Sequence, residues 1–145
     1  MADLKLSNAD LLALAQMGFG EGASADNDEV KMMTQTALNR LRSGRTKEFG
    51  RTIPEIIQKG YYAASKQNEP YKQAISGNFP DLPSKTRFSE IQKLVQSVVG
   101  DKDYGNAMFY FTPDEETKLR RNPKNFNFKA VKPQGRVGRY NTYSY

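Results

Sequence analysis

The chain has 145 residues, the length of one ordinary domain, and we expect residues 1–145 to fold as a single domain. Its 22 Lys and Arg outnumber its 16 Asp and Glu, so the net charge is +6. This charge favours an anionic partner, such as a nucleic acid, an acidic lipid surface or a polyanionic polymer of the cell wall. Charge alone does not choose among them.

The chain contains neither Cys nor His. Disulfides are therefore excluded, together with the usual zinc sites and the Ser-His-Asp and Cys-His nucleophile pairs. The phosphate-binding patterns G-x-x-x-x-G-K-[ST] and G-x-G-x-x-G do not occur. We expect no metal and no cofactor, and any acid–base chemistry must use Asp, Glu, Lys or Tyr.

The N-terminal half of the sequence predicts three helices; the first two follow side chains that are suited to cap them, and the third has Pro54 near its first turn. The first two carry apolar residues at helical spacing. The helices are Ala9–Phe19 after Ser7 or Asn8, about Asp28–Arg42 after Asp26 or Asn27, and a short one beginning at Thr52-Ile-Pro-Glu-Ile-Ile.

The middle of the chain predicts an irregular segment and then a long helix. Residues 60–85 are rich in Tyr, Asn, Gln and Pro, which predicts at most one helical turn, around Tyr71–Ile75. Ser84–Val99 has one apolar face and predicts a helix that Gly100 ends.

The C-terminal part predicts a small β element. Asn106–Thr112 is aromatic and typical of a strand, and Pro113-Asp-Glu-Glu-Thr is typical of a helix N-terminus. The tail from Lys118 has eight basic residues and no acid, and its Pro-Gln-Gly and Val-Gly segments predict turns or a hairpin. The fold class is therefore α+β and mostly helical.

One acid, Glu21, stands within the stretch GFGEGAS, Gly18–Ser24, at the end of the first predicted helix. It continues the stripe of Leu11, Leu14 and Met17, so we expect it to point toward the core or a cleft. Burial would raise its pKa, which suits a general acid, and the glycines would let a bulky substrate approach the backbone. From spacing alone, a glycine-containing helix end with Glu21 on the surface is the favoured alternative.

The order of five segments along nearly the whole chain carries a family resemblance. The segments are LALAQMGFGEGAS, TALNRLRSGR, IIQKGYYAAS, VVGDKDYGNAMFYFTP and VGRYNTYSY. In this order they resemble the SleB-like cell-wall hydrolase family, the lysozyme-like spore-cortex lytic enzymes of bacteria and their phages. The resemblance implies a lysozyme-like, lytic transglycosylase-type fold. It places the family's catalytic glutamate at Glu21 and its Asn-Arg motif at Asn39 and Arg40.

Several positions differ from the family pattern. The family has a second acid four residues after the catalytic Glu, where this chain has Ala25. It has His in the aromatic strand and in the last strand, where this chain has Phe109 or Phe111 and Tyr140, and it has Gln at the position of Tyr61. Aromatic side chains thus replace polar groups of the family's cleft.

The resemblance implies a site with one catalytic residue, Glu21, and a set of substrate-binding residues. That set is Asn39, Arg40, Tyr61, Tyr62, Phe109, Tyr110 and Tyr140. For Asn39 and Arg40, a structural hydrogen bond and a solvated guanidinium explain the motif equally well. Each aromatic residue taken singly is better explained as partial core, whereas the set beside a cleft is suited to stack on sugar faces.

The implied chemistry needs only a carboxylic acid, which fits a chain without His or Cys. Glu21 would protonate the glycosidic oxygen and then, as a carboxylate, take the proton of the muramic acid 6-hydroxyl while a 1,6-anhydro ring closes. A hydrolase of the two-carboxylate type would need a second acid. Asp26, Asp28 and Glu29 are better explained as the charged first turn of the second helix.

Two other functions stay open. The tail NFNFKAVKPQGRVGRYNTYSY interleaves basic and aromatic residues, as single-strand nucleic-acid binders do, and a virion structural protein could keep a hydrolase fold without activity. The N-terminal MADLKLSNADLL does not resemble a secretory signal. We therefore expect synthesis in a host cytoplasm and action at the cell wall or periplasm after release, or carriage in a virion. The expected partner is the peptidoglycan glycan strand, without membrane insertion.

Overall fold

The computed structural model describes residues 4–22 and 25–145. Within these residues, helices make up most of the regular structure and three strands form one antiparallel sheet near the C-terminus, so the fold is α+β and mostly helical, as predicted. The helices are α1 (Asn8–Gly22), α2 (Asn27–Arg42), α3 (Thr46–Phe49), α4 (Ile53–Gly60), α5 (Tyr62–Lys66), α6 (Glu69–Ser76), α7 (Leu82–Asp101) and α8 (Pro113–Arg121). The strands are β1 (Phe109–Phe111), β2 (Lys132–Val137) and β3 (Tyr140–Ser144), and a 3₁₀ turn spans Phe128–Ala130.

Capping side chains explain where the predicted N-terminal helices begin. The Ser7 hydroxyl accepts from the Asp10 N–H at 3.1 Å, and the Asp10 carboxylate accepts in return from the Ser7 N–H. Asp26 and Glu29 form the same reciprocal pair at the start of α2, and Thr52 caps α4. The predicted starts are confirmed, and α1 extends three residues beyond its predicted end, which places Glu21 inside its last turn.

The prediction of an irregular segment over residues 60–85 was wrong, because most of it is helical; the one turn expected around Tyr71–Ile75 is part of α6. Asn68 and Asp81 accept hydrogen bonds at the starts of α6 and α7. Pro70 and Pro83 occupy the first turns, where a missing N–H breaks no intrahelical bond. The Asn, Asp and Pro residues of this segment, which are typical of loops, therefore begin helices here.

Helix α7 also ends differently from the prediction. Gly100 lies inside the helix, and the chain turns at Lys102, which is in the left-handed region with φ 63°. The helix has 20 residues and carries charges along its length. Among residues 4–22 and 25–145, no helix combines the length and the apolar character needed to cross a bilayer.

The sheet has the order β1-β3-β2, and the hairpin predicted for the tail is formed by β2 and β3. The predicted aromatic strand is confirmed but is only three residues long. Side chains alternate across the sheet, so Tyr110, Tyr140 and Thr142 share one face, while Phe109 and its partner in register, Tyr143, lie on the other. The face that carries Tyr110 and Tyr140 is the one turned toward Glu21.

Helix α1 is central to the helical part, because it packs against α2, α4, α5, α6 and α7. Leu14 and Met17 of α1, Met33 of α2 and Ile91 of α7 are all fully buried. Burial of each such side chain contributes about 1.5–3 kcal/mol relative to leaving it exposed. The end of α1 that carries Glu21 is therefore held from several sides.

Candidate active site

Glu21 lies in the last turn of α1 with its side chain partly buried. The Tyr110 hydroxyl lies 3.5 Å from its Oε1 and donates toward it across 89 residues of sequence. The helix, rather than a loop, supplies the acid, and the facing strand supplies its partner. This placement agrees with the expectation that Glu21 points away from open solvent.

Burial raises the pKa of Glu21 above its ordinary value of 4.5, and it is the largest influence on the group. The backbone N–H groups of Ala63 and Tyr62, at the start of α5, favour the carboxylate and lower the pKa. The charge of Glu115 raises the pKa, and the Tyr110 hydroxyl lowers it. The net result is a carboxyl that keeps its proton to a higher pH than an exposed Glu, with hydrogen-bond donors at hand for its ionised form.

The glycines around Glu21 serve helix packing. A Cβ on Gly20 would lie 2.8 Å from the Cβ atoms of both Ala63 and Tyr71, so α5 and α6 approach α1 as closely as only Gly permits. Gly18 and Gly22 are buried as well. The interpretation of these glycines as room for a substrate was wrong for Gly20, because neighbouring helices fill that space. Ala23 and Ser24, which complete the stretch GFGEGAS, lie outside the described residues.

Tyrosines from two strands form a wall beside Glu21. The rings of Tyr110 and Tyr140 meet edge to face, with centroids 5.2 Å apart and an interplanar angle of 88°. Burial is the largest influence on the pKa of Tyr140 and raises it; the charge of Arg139 lowers this pKa, and those of Glu29, Glu115 and Glu21 raise it. Tyr62, with 66% of its surface exposed, adds a free ring next to the backbone groups that reach Glu21.

The Asn-Arg motif is buried and holds the chain that leads into β1. The Asn39 amide donates to the carbonyls of Tyr104 and Ala107, both at 2.9 Å. Arg40 Nε donates to the Met108 carbonyl at 2.8 Å, and its guanidinium lies over aromatic rings. Asn39 thus makes structural hydrogen bonds, which was one of its two interpretations from the sequence. Arg40 is buried, so the interpretation of its guanidinium as solvated was wrong. Both residues act on Tyr110 indirectly, through the start of its strand.

Two further residues of the predicted set lie in the core. Tyr61 is 1% exposed, and its hydroxyl lies 2.7 Å from Thr36 Oγ1 and donates to the Met33 carbonyl at 3.0 Å. Phe109 lies on the opposite face of the sheet from Tyr110 and packs edge to face on Phe126. The structure thus groups Tyr62, Tyr110 and Tyr140 with Glu21. The other four residues of the predicted set are buried behind them and support the elements that carry them: Asn39, Arg40, Tyr61 and Phe109.

An ion pair between buried Glu29 and exposed Arg139, which the sequence did not predict, fixes the turn before Tyr140. Glu29 Oε2 accepts from the backbone N–H and from Nε of Arg139, at 2.9 and 3.1 Å. A Cβ on Gly138 would lie 2.5–2.6 Å from the Glu29 carboxylate, and Gly138 has φ +54°, so this contact requires glycine. Burial alone raises the pKa of Glu29, but the N–H groups of Arg139 and Asp26 and the Arg139 guanidinium hold it below its usual value.

A second carboxyl, Glu115, also belongs to the surroundings of Glu21. It is exposed, and its Oε1 accepts from the Thr112 N–H at 2.9 Å in the capping box of α8. Its position follows from β1, because α8 begins directly after the strand that carries Tyr110. The sequence predicted only that Glu115 lies in the acidic first turn of a helix, since nothing local shows that β1 returns to the end of α1.

Comparison of the chain with models of protein families, with curated proteins and with solved structures gives no match. A functional assignment therefore depends on the contacts described above. Those contacts centre on one partly buried carboxyl of raised pKa, a wall of tyrosines and a nearby exposed carboxylate.

Proposed function

We propose that this chain cleaves the glycan strand of peptidoglycan as a lytic transglycosylase, with Glu21 as its general acid and base. The observation that carries the proposal is the Glu21 carboxyl itself, partly buried at the end of α1, raised in pKa and faced by Tyr110. Its chemistry requires neither His nor Cys, which the chain lacks. The lysozyme-like character of the fold, a glutamate at a helix end facing a small antiparallel sheet, is part of the proposal.

In the first step, neutral Glu21 donates its proton to the glycosidic oxygen, and the bond from that oxygen to C1 of muramic acid breaks. The raised pKa lets Glu21 keep its proton to a higher pH than an exposed Glu does. The departing sugar takes the bonding electron pair, and positive charge develops at C1. The Glu21 carboxylate that results is stabilised by the N–H groups of Ala63 and Tyr62 and by the Tyr110 hydroxyl.

In the second step, the 6-hydroxyl of the same muramic acid attacks C1 and gives its proton to the Glu21 carboxylate. A 1,6-anhydro ring closes, and Glu21 returns to its neutral form. The atoms balance without water, so one carboxyl is enough. The exposed ring of Tyr62 is suited to stack on a sugar face during both steps, whereas Tyr110 is partly buried, Tyr140 is buried, and both pack beside Glu21.

Loss of turbidity of purified cell walls tests the proposal. We expect the unmodified chain to clear the suspension and Glu21→Gln to lose at least about 100-fold in rate, because a general acid typically contributes that much or more. Glu69→Gln, an exposed acid in the first turn of α6, is the matched control and should keep its activity. Full activity of Glu21→Gln, or no clearing by any of the proteins, would overturn the assignment.

A further inference from the structure

The charge of this protein is divided unevenly along the chain. Residues 1–117 contain all 16 acids and 14 of the Lys and Arg residues, whereas residues 118–145 contain eight basic residues and no acid. The positive excess therefore lies entirely in the last 28 residues. These residues form the end of α8, the 3₁₀ turn and the β2–β3 hairpin.

Six of these eight basic side chains are exposed and, within the described part of the chain, form no ion pair. We call them the C-terminal basic region: Lys118, Arg121, Lys124, Lys129, Lys132 and Arg136. The other two are engaged, Arg120 with Glu116 and Arg139 with Glu29. Unpaired cations gathered on one part of a molecule repel one another, and an anionic partner relieves that repulsion.

The aromatic residues that alternate with these basic residues face inward. Phe126 and Phe128 pack on each other with centroids 4.7 Å apart, and Phe128 lies 5.6 Å from the ring of Tyr143. Both rings are partly buried in this cluster. Arg120 lies over the Phe128 ring at 4.1 Å, and the remaining surface of both rings lines a pocket with Pro123 and Lys129. Much of each ring is thus covered by neighbours, which leaves little of the open ring surface that single-strand nucleic-acid binders use, and the basic region fits a polyanion recognised mainly by charge.

The basic region joins the candidate active site through the hairpin turn. Gly138 and Arg139 form the turn between the β2 strand that carries Lys132 and Arg136 and Tyr140 of the tyrosine wall. Helix α8 carries Glu115 at its start and Lys118 and Arg121 toward its end. In register, Lys132 pairs with Ser144, on the face of Tyr140, and Arg136 pairs with Asn141, on the opposite face, so basic side chains lie on both sides of the hairpin that carries Tyr140.

We propose that the C-terminal basic region binds the carboxylate-bearing peptide stems of the same cell-wall polymer and holds the protein on it between cleavage events. This inference rests on the proposed function, because it takes peptidoglycan as the polymer. The cations would act as exposed point charges, so retention should depend strongly on ionic strength. The region would contribute to residence on the polymer and not to the chemical step.

Cosedimentation with purified sacculi tests this inference in a Glu21→Gln background, where the polymer persists. We expect Lys124→Gln, Lys129→Gln, Lys132→Gln and Arg136→Gln together to weaken binding about tenfold or more at low salt, and the difference to vanish at high salt. The matched control changes four exposed lysines of the helical part to Gln. These are Lys5, Lys47, Lys85 and Lys93.

Equal loss of binding in both quadruple variants would overturn the inference, because net charge rather than the basic region would then be responsible. Tighter binding to single-stranded or duplex DNA than to sacculi at physiological salt would overturn it in favour of a nucleic-acid partner. Amidation of the sacculus carboxylates tests the same point without a variant, and undiminished binding would contradict it. Retention is measured without cleavage, so a protein that binds but does not cut would contradict only the proposed function.

Discussion

At the scale of single residues, Glu21 owes its properties to opposed influences. Burial raises its pKa, and donors from α5 and β1 stabilise its ionised form without cancelling that effect. From spacing alone, a surface position at a glycine-containing helix end was favoured for Glu21, and this was wrong, because the side chain is partly buried and faces Tyr110. The sequence could not predict its neighbours, because Tyr110 and Glu115 come from a strand and a helix about 90 residues away.

Two substitutions should move the pKa of Glu21 in opposite directions. Tyr110→Phe removes a donor to the carboxylate and should raise the pKa, whereas Glu115→Gln removes a negative charge and should lower it. Because protonated Glu21 starts the reaction, the alkaline limb of the pH–rate profile should move up for the first variant and down for the second.

The matched control for the lost hydroxyl is Tyr104→Phe, whose hydroxyl donates to the Val99 carbonyl away from Glu21. The alkaline limb of the pH–rate profile of Tyr104→Phe should lie at the same pH as that of the unmodified chain. Gln at position 115 can still complete the capping box of α8, so folding is retained. Shifts of the same sign in Tyr110→Phe and Glu115→Gln would contradict this account of Glu21.

The raised pKa also predicts how stability depends on pH. The folded chain holds the Glu21 proton more tightly than the unfolded chain, so folding loses stability as the pH rises from 4.5 through the folded pKa. Glu21→Gln removes this loss, and its melting temperature should gain on the unmodified protein across that window and equal or exceed it at neutral pH. Thermal unfolding at a series of pH values measures this, and parallel curves would show that folding does not perturb Glu21.

At the scale of elements, α1 depends on glycine for its close packing. Gly20→Ala should cost about 1–3 kcal/mol of unfolding free energy, because its methyl group would overlap Ala63 and Tyr71. Gly100→Ala in α7 meets nothing within 4 Å and should be neutral or stabilising by up to about 1 kcal/mol. Denaturant unfolding of the two variants compares them directly, and equal effects would mean that α5 and α6 yield to the added methyl group.

The Glu29–Arg139 pair fixes the hairpin turn to the start of α2. Glu29→Gln should cost about 1–3 kcal/mol, mainly because the N–H groups of Asp26 and Arg139 lose a charged acceptor. The Arg139 side chain is 58% exposed, so solvent screens the ionic part. Folding lowers the pKa of Glu29, so its stabilisation is present above the ordinary pKa and is lost as the pH falls through the folded value.

The difference in unfolding free energy between Glu29→Gln and the unmodified chain should therefore be larger at neutral pH than in acid. Denaturant titrations at both pH values measure it, with Glu90→Gln, an exposed acid of α7, as the control. A difference that does not change with pH would mean that the charge of Glu29 is not what holds the turn.

Glu29→Gln should also displace Tyr140, which follows Arg139 in the chain. Because Tyr140 lies beside the site, we expect the variant to raise KM more than it lowers kcat.

The elements themselves were predictable where a local signal decides them. Capping side chains before apolar stripes indicated the starts of α1 and α2, and Pro54 indicated the first turn of α4. The Pro-Gln-Gly and Val-Gly segments indicated the hairpin. The signals for α6 and α7 were also local, since Asn68 and Asp81 cap helices that Pro opens, but the same residues are typical of loops. Because successive side chains of a strand point to opposite faces of the sheet, the sequence alone could have predicted that only one of Phe109 and Tyr110 faces Glu21.

At the scale of the whole molecule, the fold class was predictable and the composition of the site was predictable only in part. Glu21, Tyr62, Tyr110 and Tyr140 meet, whereas Asn39 turns to the backbone before β1. The pairs that decide this are distant in sequence, such as Glu29 with Arg139, and no periodicity encodes them. The concentration of positive charge after residue 117 was visible in the sequence, but its inward-facing aromatic residues were not.

Digestion of sacculi in ¹⁸O-labelled water, followed by mass spectrometry of the products, tests the central claim most directly. The account predicts anhydro-muropeptides without label from the unmodified chain and no products from Glu21→Gln, because the 6-hydroxyl and not water attacks C1. Reducing-end muramic acid that carries one ¹⁸O would contradict it, and would make Glu115 the acid to examine as the group that activates water.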